Sequence, residues 1–172
     1  VQNDVQEKHL IRNYKKENFL LIPNIWLSNL RQENYNINMS NYFLWVSNFH
    51  ERKRPEYFIM LAKNYPQYKF VMVGGPANKM LFDKCKAQSS KIANLEFLGP
   101  KSFWFVNKLF ENAKIFICTS ESEGFPNTFL QSWTNAIPVI STFDPSNTIE
   151  KNKLGMVVKN LDELYSSISQ IE

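Results

Sequence analysis

From Tyr42 to the end of the chain, short apolar runs alternate with stretches in which apolar residues recur every three or four positions. The short runs predict buried β-strands, and the periodic stretches predict helices with one apolar face. The predicted strands cover residues 43–46, 70–73, 95–98, 115–118, 137–140 and 155–158. The predicted helices cover about 55–62, 77–87, 102–113, 126–135 and 161 onward, with Ser102 and Asn160 as N-terminal caps.

This alternation of strands and helices predicts an α/β domain, a three-layer, doubly wound parallel sheet with helices on both faces. In such sheets ligands bind beyond the carboxyl ends of the strands, where the loops lead into helix N-termini. We therefore expect the functional residues in four loops that follow predicted strands. These loops are 48–53, 74–77, 99–102 and 120–127.

Residues 1–41 do not follow this alternation of strands and helices. The pattern predicts a helix over 6–14, a short strand over 20–24 and a polar connector over 31–40. A length of 172 residues suits one domain. We therefore assign residues 42–172 to the domain and the preceding residues to a leader or linker.

Composition indicates a folded globular protein, because 44% of the residues are hydrophobic and 15% are aromatic. The formal net charge of +4 fits a site for an anionic small molecule, and no nucleic-acid-binding motif is present. Cys85 and Cys118 lack metal-ligand spacing, so we expect reduced thiols in a cytoplasmic protein. No apolar run approaches the roughly 20 residues that cross a bilayer, and no signal-peptide core is present.

The loop 119–127 carries the most information about chemistry. It follows an apolar run, carries the acids Glu121 and Glu123, turns at Gly124 and enters a helix at Pro126. Free N–H groups at a helix start, with the helix dipole behind them, form a site for phosphate, and a glycine lets the backbone approach a diphosphate closely. The alternative is a plain turn between strand and helix in which Glu123 only caps the helix.

A resemblance to a known family begins in this loop. Residues 123–131 read Glu-Gly-Phe-Pro-Asn-Thr-Phe-Leu-Gln, and Ile-Pro-Val-Ile-Ser-Thr follows at 137–142. Together they resemble the signature of the family-four retaining glycosyltransferases of the GT-B fold, which carry a Glu, seven residues and then a second Glu. Residues 70–74 and 94–99 resemble the strands that precede this signature. The resemblance covers residues 42–172 and implies a Rossmann-like donor-binding domain, one half of a GT-B fold.

The resemblance implies roles for the residues that match the signature. Glu123 would lie beside the transferred sugar and act in catalysis. The start of the following helix would hold the sugar or the diphosphate. The donor-binding residues implied there are Gly124, Phe125, Asn127 and Thr128.

Two positions depart from the residue types of the family. Gln131 stands where the second Glu bonds the ribose hydroxyls, and an amide can still bond a hydroxyl without supplying charge. A plain surface glutamine is the alternative. Asn48 stands where the family has an Arg that holds the diphosphate together with a Lys five residues later, and Lys53 fits that Lys position. We interpret Arg52 and Arg54 as a solvated basic turn, with either one a candidate for the missing Arg.

The resemblance implies a glycosyltransferase domain that binds a nucleotide-diphosphate sugar whose sugar goes to an unknown acceptor, in polysaccharide or glycoconjugate synthesis. It implies no cofactor and no metal, and no Asp-x-Asp pair follows a strand. The acceptor site is expected in an N-terminal domain outside this chain, and the resemblance allows peripheral membrane association through that domain. This chain alone is expected not to transfer sugar. Two alternatives stay open: a degenerate or epimerase-like GT-B binding domain without transferase activity, and an α/β interaction module.

Overall fold

The computed structural model describes residues 4–15, 22, 24–25, 37 and 39–171. The strands within these residues are β1 Tyr42–Val46, β2 Lys69–Val73, β3 Leu95–Gly99, β4 Ala113–Cys118, β5 Val139–Ser141 and β6 Gly155–Val157. The helices are α1 Asp4–Tyr14, α2 Pro55–Asn64, α3 Lys79–Ser89, α4 Phe103–Asn112, α5 Asn127–Thr134, α6 Thr148–Asn152 and α7 Leu161–Ser169. Two short 3-10 helices cover Glu51–Lys53 and Pro145–Asn147.

The strands form one six-stranded sheet in the order β3-β2-β1-β4-β5-β6, and every neighbouring pair is parallel. The chain first winds outward from β1 to β3 and then returns to build the other half from β4 to β6. The order therefore reverses between β1 and β4, which is where doubly wound sheets bind their ligands. The predicted fold class is confirmed.

Helices cover both faces of this sheet, because alternate residues of each strand point to opposite sides. Phe43 and Trp45 of β1 pack with buried residues of α2, α3 and α7. Tyr42 and Leu44 pack on the other face with buried residues of α4, α5 and α6. The continuous apolar runs that predicted the strands thus fill two cores, one on each side of the sheet.

The element boundaries differ from the predicted ones where polar groups or proline decide them. Strand β5 begins at Val139, because Pro138 has no N–H to donate, although its carbonyl accepts a hydrogen bond from the N–H of Phe116 at 3.0 Å. Helix α3 begins at Lys79, after Asn78, whose side chain accepts from a first-turn N–H group. The predicted caps of α4 and α7 are confirmed.

Two parts of the chain were less predictable. Helix α6 has only five residues, too few for a helical period to show in the sequence. The predicted helix near the amino end is confirmed as α1. Of the predicted strand over 20–24, only Ile22 and Asn24 are described, and neither is in a strand. The rest of that strand and most of the connector over 31–40 lie outside the described residues.

Candidate functional site

A cleft of about 470 Å³ opens at the carboxyl edge of the sheet, where the strand order reverses. Its walls come from all four loops that the sequence predicted to be functional, together with the first residues of α5. The polar and glycine residues that line it include Asn48, Lys53, Gly74, Gly75, Lys101, Glu123, Asn127 and Thr128. The cleft is therefore the candidate binding site.

Lys53 and Glu123 meet on the wall of this cleft. The distance between Nζ of Lys53 and Oε2 of Glu123 is 2.7 Å, and the side chains are 22% and 21% exposed. Lys53 ends the 3-10 helix after β1, whereas Glu123 lies in the loop after β4. The pair places an ammonium and a carboxylate side by side in a partly shielded cleft, where charges act more strongly than on an open surface.

Ser120 holds the other oxygen of the same carboxylate. Its hydroxyl donates to Oε1 of Glu123, and Ser120 itself is 2% exposed. The thiol of Cys118 donates to Oγ of Ser120 at 3.5 Å, and the hydroxyl of Thr142 donates to the Ser120 carbonyl at 2.6 Å. Burial raises the pKa of the Cys118 thiol to about 11, so that thiol keeps its proton. The carboxylate is thus held on both oxygens, by Lys53 and by Ser120.

Thr119 joins the loops after β1 and β4. Its hydroxyl accepts from Nε1 of Trp45 at 2.9 Å and donates to the carbonyl of Lys53 at 2.6 Å, and the residue is completely buried. The backbone N–H of Glu121 donates to the carbonyl of Arg52 at 2.7 Å. These bonds fix the backbone of Lys53 relative to the loop that carries the acids.

Arg54 differs from the solvated cation that we expected. Its guanidinium pairs with Glu121 and lies 5.6 Å from the ring centre of Tyr57. Its backbone is left-handed, with φ 45° and ψ 53°, an uncommon conformation for a residue with a side chain. Arg52 is exposed, as expected of a basic turn. Arg54 therefore helps to connect the two loops across the sheet.

Helix α5 presents its amino end to the cleft. Asn127 and Thr128 are its first two residues and line the cleft, and no side chain caps the helix because Pro126 precedes it. The first-turn N–H groups and the positive end of the helix dipole attract anions. From the segment before the sheet, Nδ2 of Asn24 donates to the carbonyl of Phe125 at 2.7 Å and to Oδ1 of Asn127 at 2.9 Å.

The opposite wall depends on close packing between the ends of β1 and β2. A Cβ atom on Gly74 would lie 1.7 Å from the carbonyl oxygen of Ser47, so only glycine fits there. The N–H of Phe49 donates to the carbonyl of Gly75 at 2.9 Å. This packing holds the loop with Asn48 at the edge of the cleft.

The structure brings together five of the eight predicted site residues, namely Asn48, Lys53, Glu123, Asn127 and Thr128. Gly124 and Phe125 are not among the residues that line the cleft, although they lie in the loop between two that do. The ring of Phe125 packs edge-on against Trp133, with ring centres 6.2 Å apart. Any contact of these two residues with a ligand remains a prediction.

Gln131 is buried, so the alternative of a plain surface glutamine is wrong. It is 5% exposed, and its Nε2 donates to Oδ1 of Asn107 on α4. It lies one helical turn after Thr128 and therefore on the same side of α5. Its role in binding ribose remains a prediction, and Asn107 is a partner that the sequence analysis did not identify.

Four further residues that make contacts in or beside the site were missed. Thr119 and Ser120 had no assigned role, although two hydroxyl residues directly after a buried strand were a visible signal. The contact of Asn24 with the loop after β4 left no signal in the sequence. The loop residue His50 caps the 3-10 helix, because its Nδ1 accepts from the N–H of Arg52 at 3.2 Å.

Among the described residues, no group of three or more His, Cys, Asp or Glu residues could hold a metal ion. No helix in the same part of the chain has the length and apolar character needed to cross a membrane. Both cysteines are free and buried.

Two curated relatives from Escherichia coli resemble the chain. They are the O-antigen biosynthesis glycosyltransferase WbnH and the probable O-antigen biosynthesis glycosyltransferase WbiN, each 29% identical over 119 residues. The match covers 69% of this chain and 32% of each relative. The matched region therefore spans about a third of the length of these relatives.

Solved structures share the fold at low sequence identity. A glycosyltransferase from Rickettsia africae superposes with a TM-score of 0.79 at 19% identity, covering 97% of this chain and 51% of that one. A TarM variant from S. aureus, crystallised in complex with UDP and other ligands, gives a TM-score of 0.75 at 21% identity, covering 99% and 36%. These similarities establish the fold.

The sequence also matches a family model, described as glycosyl transferases group 1, over residues 28–171. This region contains every strand of the sheet and every residue that lines the cleft. Since the match extends over most of the chain, the protein belongs to the glycosyl transferases group 1 family.

Proposed function

We propose that this chain is the donor-binding domain of a glycosyltransferase, and that its cleft binds a nucleotide-diphosphate sugar whose sugar passes to an acceptor. The observation that carries the proposal is the pair formed by Lys53 and Glu123 beside the uncapped start of α5. A diphosphate needs cationic and N–H donors, whereas a sugar at the point of transfer needs a nearby carboxylate. The cleft offers both within one wall.

We assign the diphosphate to Lys53 and the first turn of α5. Lysine has three donor hydrogens, so Nζ can bond a phosphate oxygen while it still contacts Glu123. When the sugar leaves, negative charge grows on the diphosphate, and a preorganised cation and helix dipole stabilise that charge. Asn48 lies at the edge of the same cleft and would contribute an amide donor where the family has an Arg.

We assign the sugar to Glu123 and to the backbone of Gly124 and Phe125. The ribose would meet Gln131, whose amide is held by Asn107. Retention of the anomeric configuration and independence of metal are inherited from the resemblance to family-four enzymes and form part of the proposal. Related structures support uridine nucleotides as the first probes, because TarM and the pneumococcal O-GlcNAc transferase GtfA were crystallised with UDP.

The whole protein is proposed to be larger than this chain. The match covers only 32% of each curated relative, which supports an acceptor site in an N-terminal domain joined through residues 1–41 to the domain over 42–172. Their names support a role in polysaccharide synthesis. Two free, buried thiols are compatible with the reducing cytoplasm, where we place the domain.

Calorimetric titration of the chain with UDP, UDP-GlcNAc and a panel of other nucleotide sugars tests donor binding. We expect saturable binding that Lys53→Ala weakens by roughly tenfold or more, because a charge-assisted hydrogen bond is lost. Lys63→Ala is the matched control, since Lys63 is an exposed cation at the end of α2 outside the cleft. No heat and no thermal shift with any nucleotide at millimolar concentration would favour the interaction module.

Steady-state transfer by the full-length protein tests the role of Glu123. We expect Glu123→Gln to lower kcat by roughly a hundredfold or more, because the carboxylate next to the reacting sugar is lost while the shape is kept. Glu150→Gln, at an exposed position on α6, should leave transfer unchanged. Full activity of the Glu123→Gln protein would refute the catalytic assignment, and conversion of the donor sugar without any acceptor would favour the epimerase-like alternative.

A further inference from the structure

We infer that Ser120 is a positioning residue for sugar transfer, whose hydroxyl sets the orientation of the Glu123 carboxylate without contacting the donor. Ser120 does not line the cleft, so it can act only through its neighbour. The inference rests on the proposed function of Glu123. It adds a residue that neither the family signature nor the cleft wall identifies.

The Glu123 carboxylate has a partner on each of its two oxygens. Oε1 of Glu123 accepts from the Ser120 hydroxyl, and Oε2 lies 2.7 Å from Nζ of Lys53. The two partners come from different loops, one after β4 and one after β1. Rotation of the carboxylate plane would break at least one of these contacts, so both together fix the direction in which the oxygens face the cleft.

The surroundings of Ser120 determine where its hydroxyl proton is donated. A serine hydroxyl has one proton to donate and two lone pairs to accept with. Its oxygen accepts from the Cys118 thiol at 3.5 Å, and the Ser120 backbone is held by the hydroxyl of Thr142. Since Ser120 is 2% exposed, water does not compete for its proton. The proton is therefore directed to Glu123.

A serine with a purely structural role provides the contrast. Ser167 in α7 is also 2% exposed, and its hydroxyl donates to the carbonyl of Leu164 within the same helix at 2.8 Å. Ser120 instead donates to a carboxylate that is 21% exposed and lines the cleft. The two serines therefore match in burial and differ in whether the hydroxyl reaches the site.

Steady-state kinetics of the full-length protein test the inference. We expect Ser120→Ala to lower kcat by roughly ten- to hundredfold, the range of one hydrogen bond to a charged group, with KM for UDP-sugar changed less than about threefold. Ser120→Thr keeps the hydroxyl and should recover most of kcat. Ser167→Ala should leave both constants unchanged. Thermal unfolding of each variant checks that it is folded. If Ser120→Ala does not fold, Ser120→Cys is measured in its place.

The combination with Glu123→Gln decides whether Ser120 acts through Glu123. We expect Ser120→Ala to cause no further loss of kcat in the Glu123→Gln background, because residues that act as a unit are not additive. Multiplicative losses, or equal effects of Ser120→Ala and Ser167→Ala, would overturn the inference while leaving donor binding intact. Absence of binding by any nucleotide sugar of the panel to the unmodified chain would instead refute the proposed function itself.

Discussion

Gly74→Ala is the substitution whose effect the structure predicts most sharply. The added Cβ would lie 1.7 Å from the carbonyl oxygen of Ser47 and 2.7 Å from its carbonyl carbon, and Gly74 has φ +156°. These neighbours are backbone atoms, so no side chain can move aside. The ends of β1 and β2 would have to separate by roughly an ångström or more to reach an ordinary contact distance.

The cost follows from the contacts that hold these ends together. Overpacking in a tight interior costs about 1–3 kcal/mol, and each backbone hydrogen bond lost adds about 0.5–1.5 kcal/mol. The bonds at risk are Ser47 N–H to Val73 O at 3.1 Å and Phe49 N–H to Gly75 O at 2.9 Å. We therefore expect a loss of about 3 kcal/mol in the free energy of unfolding, or roughly 6–12 °C in Tm.

Urea unfolding followed by tryptophan fluorescence and circular dichroism measures this loss. Gly75→Ala is the matched control, because its Cβ would meet Asn48 Oδ1 at 3.6 Å and Pro100 Cβ at 4.0 Å, which are ordinary contacts. We expect it to change stability by less than about 1 kcal/mol. Equal effects of the two substitutions would show that the close approach of Gly74 to Ser47 does not determine the loss of stability.

Three further predictions address the loops and the buried thiol. Thr119→Val removes the hydroxyl that donates to the carbonyl of Lys53 and should cost about 1–3 kcal/mol in urea unfolding, because buried polar groups lose their partner. Asn24→Ala removes both hydrogen bonds to the loop after β4 and should weaken UDP-sugar binding several-fold in calorimetry. Burial raises the pKa of Cys118 to about 11, so the free energy of unfolding should fall as pH rises from about 9 to about 11, where the unfolded chain releases the thiol proton first.

Each of these has its own contrary result and control. Unchanged stability of Thr119→Val would show that the bond between the loops contributes nothing, and Thr119→Ser should retain most of it. Unchanged UDP-sugar affinity in Asn24→Ala would show that the segment before the sheet does not contribute to binding. Asn152→Ala on α6 is a control outside the cleft. An identical alkaline loss in a Cys118→Ala variant would assign that loss to other groups.

The fold was predictable because each strand and most helices have a local pattern of apolar residues in the sequence. Strands that are buried on both faces must be apolar at every position, so the run 43–46 identified β1, and the repeated return to helical spacing implied parallel strands. The rule that ligands bind beyond carboxyl ends then selected the loops whose residues line the cleft. Helix α6 was missed because one short turn has no period to detect.

The side-chain contacts of the site were less predictable, because they join residues that are distant in sequence. Nothing in the residue pattern pairs Lys53 with Glu123 or Gln131 with Asn107. The burial of Gln131 depends on how α4 packs against α5. Arg54 looked like part of a solvated basic turn, since the sequence could not show that Glu121 would lie opposite. Such contacts follow only once the sheet order is known.

The most direct test of donor binding is a titration of the ¹⁵N-labelled chain with UDP-GlcNAc, or with the tightest nucleotide sugar of the panel, followed by two-dimensional NMR. We expect the largest amide shifts on Asn48, Gly75, residues 123–125 and residues 127–128, and we expect Lys53→Ala to move the midpoint to higher concentration by roughly tenfold. Saturable binding with its largest shifts on residues away from the cleft, or no shifts at millimolar ligand, would refute donor binding in the cleft.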